Sequence, residues 1–274
     1  MNIYWAQRMA NSQEEKTLKN IKEVNEELKK YFSKSLIRLI AQFEATYDKL
    51  LLTVGEGRTP TPADLYNLDK YWELQNQLRI ELQKLGDKQI TFLSKKFMAQ
   101  YAEIYEGIAI KGDLKFRKAD TAAVAQIINQ IWCADGKSWS QRVWENTDLL
   151  QQTLNDGLVD CVIAGSKTSQ LKEILQDRFN VSYNRADALV RTEMAHIQTQ
   201  AAKQRYEDYG IKEVQVWASK DERRCKVCGQ LHLKKYPIGA AVPIPAHTNC
   251  RCCIIPVVDW LSFQGLDIKE ITNK

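Results

Sequence analysis

The chain has 274 residues, 44% of them hydrophobic and 27% charged, enough to bury the core of one large domain or two modest ones. Its 39 basic and 34 acidic residues leave a net charge of +5, spread along the chain with no block of five like charges, so nucleic-acid contact is permitted rather than demanded. No stretch approaches the roughly 18 uninterrupted apolar residues of a membrane helix, and the opening Met1-Asn2-Ile3-Tyr4-Trp5-Ala6-Gln7-Arg8 lacks the pattern of a secretory signal, so the chain is expected to stay in the cell that makes it.

Residues 12–54 read as one long amphipathic helix. Leu18, Ile21, Val24, Leu28, Phe32, Leu36, Leu39, Phe43 and Tyr47 recur at steps of three and four, the period of one helical face. Ser12 followed by Glu15 fits a capping box at its start, and Gly55, Gly57, Pro60 and Pro62 end it. A second stripe runs from Pro62-Ala63-Asp64 through Leu65, Leu68, Tyr71, Leu78, Leu82 and Leu85. Gly86-Asp87 is expected to kink or break it before it resumes through Ile90, Leu93, Phe97, Tyr101 and Ile104 to Gly107. Both stripes are wide and aromatic-rich rather than strict heptads, which favours packing within the chain over a coiled-coil oligomer.

Shorter helices follow. One spans 119–131. Asp135-Gly136-Lys137 forms a turn, and Ser138 caps a helix over 139–164 that stops at Gly165. A helix over 168–179 comes next, and Ser182 caps a separate long one over 183–209 that stops at Gly210. The pattern then changes. Val214-Gln215-Val216-Trp217 alternates as a strand does, and 254–258 reads as a closing strand, with Pro256 marking it as an edge. The expected fold class is α+β, divided into a long-helical region 1–112, a helical core 113–210, a Cys/His module 211–260 and a tail 261–274.

The cysteines carry the chemistry. Cys133 and Cys161 stand alone, whereas the other five of the seven fall between 225 and 253. In a reducing compartment such a cluster reads as metal ligands before disulfides. Cys225-Lys-Val-Cys228 offers two thiolates to one point, and His247-Thr-Asn-Cys250-Arg-Cys252 offers the second pair of a zinc tetrahedron. His247 with Cys250 gives a Cys₃His site, and Cys250 with Cys252 gives Cys₄; the sterically tighter spacing of the second pair favours Cys225, Cys228, His247 and Cys250. Cys253 is assigned to the core. The expected cofactor is one structural zinc ion. A catalytic zinc would need an open position and a placed acid or base. The chain has only His196, His232 and His247, with no His-x-Glu and no His-Glu-x-x-His, and no enzyme activity is expected.

Two further features stand out. Within the long helix, Arg191 is spaced to pair with Asp187, and Glu193 is free to reach a partner elsewhere, for example in the module. Around the cysteines, Arg223, Arg224, Lys226 and Arg251, with Lys234 and Lys235, form a basic set that could touch DNA phosphates, although a solvated surface is the more common explanation of such a set.

The order of these motifs resembles a known family. Arg185-Ala186, then Arg191-Thr192-Glu193, Trp217, Asp221, Cys225-x-x-Cys228, and Pro245-Ala246-His247-x-x-Cys250-Arg251-Cys252 are similar to the tailed-phage head-morphogenesis proteins, the Mu protein F-like minor head family. Asp135 through Trp144 is similar to the segment that precedes the Arg-Thr-Glu helix in that family. The resemblance covers about 135–258. It implies a virion structural and assembly protein that acts at the portal or inside the procapsid, found in the host cytoplasm during assembly and then in the virion. The partners it implies are portal protein and other capsid or scaffold proteins, with double-stranded DNA a further contact and no membrane. The competing function is a zinc-containing nucleic-acid-binding protein or a nuclease built on the Cys-x-x-Cys turn, with His232 as its spare histidine.

Overall fold

A computed structural model describes residues 3–54, 61, 68–108, 118–219 and 224–258. The fold is α+β, mostly helical, with a small antiparallel sheet towards the C-terminal end. The helices are α1 (Ile3–Val54), α2 (Asp69–Gly107), α3 (Thr121–Ile128), α4 (Trp139–Ile163) and α5 (Thr168–Asp208). Strand β1 (Glu213–Trp217), helix α6 (Lys226–Leu231), β2 (Lys235–Pro237) and β3 (Cys253–Pro256) follow.

The helical periodicity places the main elements, and the structure corrects their ends. Helix α1 begins at Ile3, so Ser12 lies inside it and forms no capping box. Ala6, Met9 and Ala10 extend the buried stripe upstream, and the buried polar residues Gln13 and Thr17 continue it to Ile21. The two polar positions interrupt the apolar pattern without interrupting the face. Helix α2 runs unbroken through Gly86. A Cβ there would meet the Trp144 ring at 2.5 Å, so the glycine serves the close approach of an indole rather than a bend. The expected start of this helix, 62–68, lies largely outside the described residues.

Helix α3 is shorter than expected, capped by Asp120, whose side chain accepts from the Ala122 N–H. Ser138 does cap α4, in a full capping box with Gln141, and Gly165 takes a φ of +61° after its last turn. The two helices expected over 168–209 are one, α5. Leu171, Leu175, Phe179, Ser182, Ala186 and Val190 form one buried stripe, and its burial outweighs the weak helix preference of Asn180-Val181-Ser182. Ser182 caps nothing; its carbonyl accepts from Asn146 at 2.9 Å.

The chain forms two compact units. One holds residues 25–92 and 137–187, the other 1–24, 93–136 and 188–274, so α1, α2 and α5 each contribute to both. In the first unit, Phe32 packs edge-on against Phe179 and Tyr183, and buried Glu81 accepts twice from Arg38, at 2.6 and 2.9 Å. Tyr47 donates to the Ser166 carbonyl at 3.0 Å, a bond that ties the end of α4's loop to α1.

In the second unit, β1 is the central strand of the order β2-β1-β3. Val214 faces Tyr236 on β2 and Pro256 on β3, and Trp217 faces Cys253. Strand β3 is therefore an edge, where Pro256 costs no ladder bond. Tyr206 on α5 donates to the Ile254 carbonyl at 3.3 Å and accepts from Gln13 at 3.1 Å, which joins α1, α5 and β3.

Candidate metal centre

The first half of the centre is built by α6. Cys225 is its N-cap, with extended backbone angles, and its Sγ accepts from the Cys228 N–H at 3.3 Å. That backbone donor holds the Cys225 thiol below its ordinary range. One helical turn places Cys228 on the same side, buried, where desolvation pushes its thiol up to about 12.

The second half is a tight turn. The Cys250 N–H donates to the His247 carbonyl at 3.2 Å, and Asn249 between them takes a φ of +63°, a left-handed conformation that Asn tolerates better than most residues. His247 Nε2 lies 3.3 Å from the Cys225 sulfur and 3.1 Å from that of Cys228. Its Nδ1 lies 2.7 Å from the Thr248 carbonyl, the first cause of its raised pKa. Cys250 and Cys252 are both buried. Their contact with each other is the first cause of opposite shifts: Cys250 is held down to about 5 and the Cys252 thiol is pushed well up. Cys253 lies in the core, as expected, 1% exposed and raised by burial.

The donors form two overlapping trios, Cys225–Cys228–His247 and Cys228–Cys250–Cys252, each with its ligand atoms within 4.8 Å of one another. Cys228 belongs to both. The Cys228 and Cys250 sulfurs stand 3.8 Å apart. Two sulfurs at corners of a zinc tetrahedron, each about 2.3 Å from the ion, also stand about 3.8 Å apart. The donor types and their spacing therefore fit a metal ion, with Cys228, Cys250 and Cys252 buried, Cys225 half-buried and His247 exposed.

The Arg-Thr-Glu motif is spread around this centre. Thr192 reaches the module: its Oγ1 accepts from the Asn249 N–H at 3.3 Å and donates to the Ala188 carbonyl at 2.8 Å. Glu193 is buried and accepts from Trp132 Nε1 at 3.0 Å. His196, one turn on, stacks on Trp132 at 4.2 Å and 5°, and burial holds its pKa down at about 4. Sequence reasoning missed Trp132, which lies 61 positions from its partner with no local spacing to announce it. Arg191 is half-buried.

The basic set divides. Arg224 and Lys226 beside the module are exposed, as are Lys234 and Lys235 at β2. Arg251 is only partly exposed and pairs with Glu14 on α1 at 3.4 Å. Arg223 lies outside the described residues, as does Asp221. His232, the spare histidine, accepts from the Ala218 N–H through Nδ1 at 3.2 Å and sets its ring edge-on to Trp217.

Residues 152–255 match the model of the family described as phage Mu protein F like protein. That match supports the family that the motif order resembles. No curated protein and no solved structure matches the chain significantly. The Mu F-like segment begins within α4, takes in all of α5 and the metal centre, and ends in β3. It contains Arg191, Thr192, Glu193 and all five metal-ligand candidates, so the motif helix and the metal turns belong to one matched unit of sequence.

Proposed function

We propose that the protein is a minor head protein of a tailed phage, a structural component acting in head morphogenesis and associated with the virion. The observation that carries this reading is the Mu F-like match over 152–255, which spans the motif helix and the metal turns together. The same reading makes the portal protein, with capsid and scaffold proteins, the partners, met during assembly in the host cytoplasm and then at the portal vertex or capsid interior. Among the described residues no helix is long and apolar enough to cross a membrane.

In this reading the metal is one zinc ion with a structural role, held by Cys225, Cys228, His247 and Cys250. One observation favours His247 over Cys252 as the fourth ligand. His247 presents Nε2 to two cysteine sulfurs while Nδ1 meets a backbone carbonyl, the pairing that orients metal-bound histidines. The zinc would tie α6 to the turn at 247–250 and supply folding energy to a segment with little core.

In this reading the role is non-enzymatic. Among the described residues no carboxylate joins either trio, and His232 is engaged with backbone and Trp217. DNA contact, where it is made, falls to Arg224, Lys226, Lys234 and Lys235 rather than to Arg251.

The test is co-expression with the cognate portal and scaffold proteins, followed by purification of procapsids. The chain is expected to co-purify with portal-containing particles. Its consistent absence from them contradicts the assignment. Metal-dependent DNA cleavage that is lost in His232→Ala would favour the nuclease reading instead.

A further inference from the structure

The metal turn at 247–250 contains its own weak point. His247 and Cys250 lie at its two ends, and the peptide between them passes through Asn249 in the left-handed region. A non-glycine residue there is held by its surroundings or it relaxes, and relaxation would swing the imidazole and the thiolate apart. The turn's own bond is the one from the Cys250 N–H to the His247 carbonyl. The second restraint comes from outside the module: the Asn249 N–H donates to Thr192 Oγ1, and the Thr192 hydroxyl is itself aimed by donating to the Ala188 carbonyl one turn back. Because α5 is a long helix buried around this point at Val190, Glu193 and Met194, the hydroxyl is a fixed acceptor rather than a mobile one.

We propose that Thr192 is a positioning residue for the metal centre, setting the turn that holds His247 and Cys250 in ligating geometry. This rests on the reading of the Cys/His cluster as a metal site and gives the middle residue of the Arg-Thr-Glu motif a defined task. The bond of Thr192 is to the backbone between two ligands. Thr199 provides an internal contrast. It lies on the same helix and makes the same bond to the carbonyl four residues back, at 3.0 Å, but no bond from Thr199 to the module accompanies it.

The experiment measures zinc affinity of the full chain by competition with a chromophoric chelator, under reducing conditions, for wild type, Thr192→Val, Thr192→Ser and Thr199→Val. Removing an outer partner of a metal ligand typically weakens metal binding about 10- to 100-fold. Thr192→Val is expected to fall in that range. Thr192→Ser, which keeps the hydroxyl, is expected to restore affinity to within about threefold, and Thr199→Val to leave it unchanged. Thr192→Val binding zinc as tightly as wild type overturns the proposal, even when thermal stability has dropped. Equal weakening in Thr199→Val overturns it as well, because the effect would then belong to the helix and not to the turn. A wild-type chain that binds no zinc removes the metal reading itself, and the proposal with it.

Discussion

Leu154 on α4 and Cys228 on α6 are both buried, at 0% and 4% exposure, and what buries them differs in kind. Leu154 belongs to a stripe of Val143, Leu150, Leu158 and Val162 in a 25-residue helix, within a unit of long helices joined by aromatic and aliphatic contacts. Cys228 belongs to a six-residue helix followed by a three-residue strand and an irregular loop. There the neighbours that matter are sulfurs and an imidazole. The helical unit is held by a sum of many contacts, each worth little, so it tolerates the loss of any one. The module depends on a few directional groups that converge at Cys228, so losing one is felt throughout.

Metal removal should expose this difference most strongly. Stripping the ion with a chelator under reducing conditions is expected to speed amide exchange across 224–258 by at least about a hundredfold, while 139–163 changes little. Equal acceleration in both segments would mean that the metal supports the whole chain. No acceleration in 224–258 would mean that its packing suffices.

The complementary change is Leu154→Ala. It should cost about 2–5 kcal/mol in global denaturation, the usual range for a buried leucine. The zinc content should stay at that of wild type. Loss of zinc together with stability would show that the two regions are not energetically distinct.

A smaller effect concerns His196, buried neutral against Trp132 beside the motif helix. Its pKa is lowered from 6.5 to about 4 by burial, so the unfolded chain takes up this proton first as pH falls. Its contribution is present in full above pH 6.5 and is lost as pH falls towards 4, by up to about 3 kcal/mol. His196→Phe keeps an aromatic ring on the Trp132 stack and removes the titration. Denaturation at stepped pH should therefore show a flatter profile for the variant than for wild type between pH 6.5 and 4. Parallel profiles would mean that His196 is solvated in the folded chain.

The contrast between the regions also explains what the sequence conveyed. Helical periodicity is a local signal repeated many times, so the stripes of α1 and α2 were legible from residues such as Leu28, Phe32, Leu78 and Leu82. Boundaries were less so. The join at 179–182 looked like a break because Asn, Val and Ser are poor helix formers, and the burial of Phe179, Ser182 and Ala186 along one face keeps α5 whole. Ser12 looked like a cap because Gln13 and Thr17 hide the stripe upstream of Ile21. Strand β2 was not legible at all: three residues ending in Pro237 carry too little alternation to register. In the metal centre the ligand types and spacing were visible, since a Cys-x-x-Cys turn is itself a local pattern. The Asn249–Thr192 bond and the Trp132–Glu193 bond were not, because they join positions 57 and 61 apart.

The most direct measurement is the metal content of the purified chain under reducing conditions, taken beside that of Cys228→Ser. One zinc ion per wild-type chain and close to none in the variant is the predicted result, since Cys228 stands in both trios. A folded wild-type chain with far less than one equivalent of metal, or a Cys228→Ser chain that keeps a full equivalent, would contradict the account.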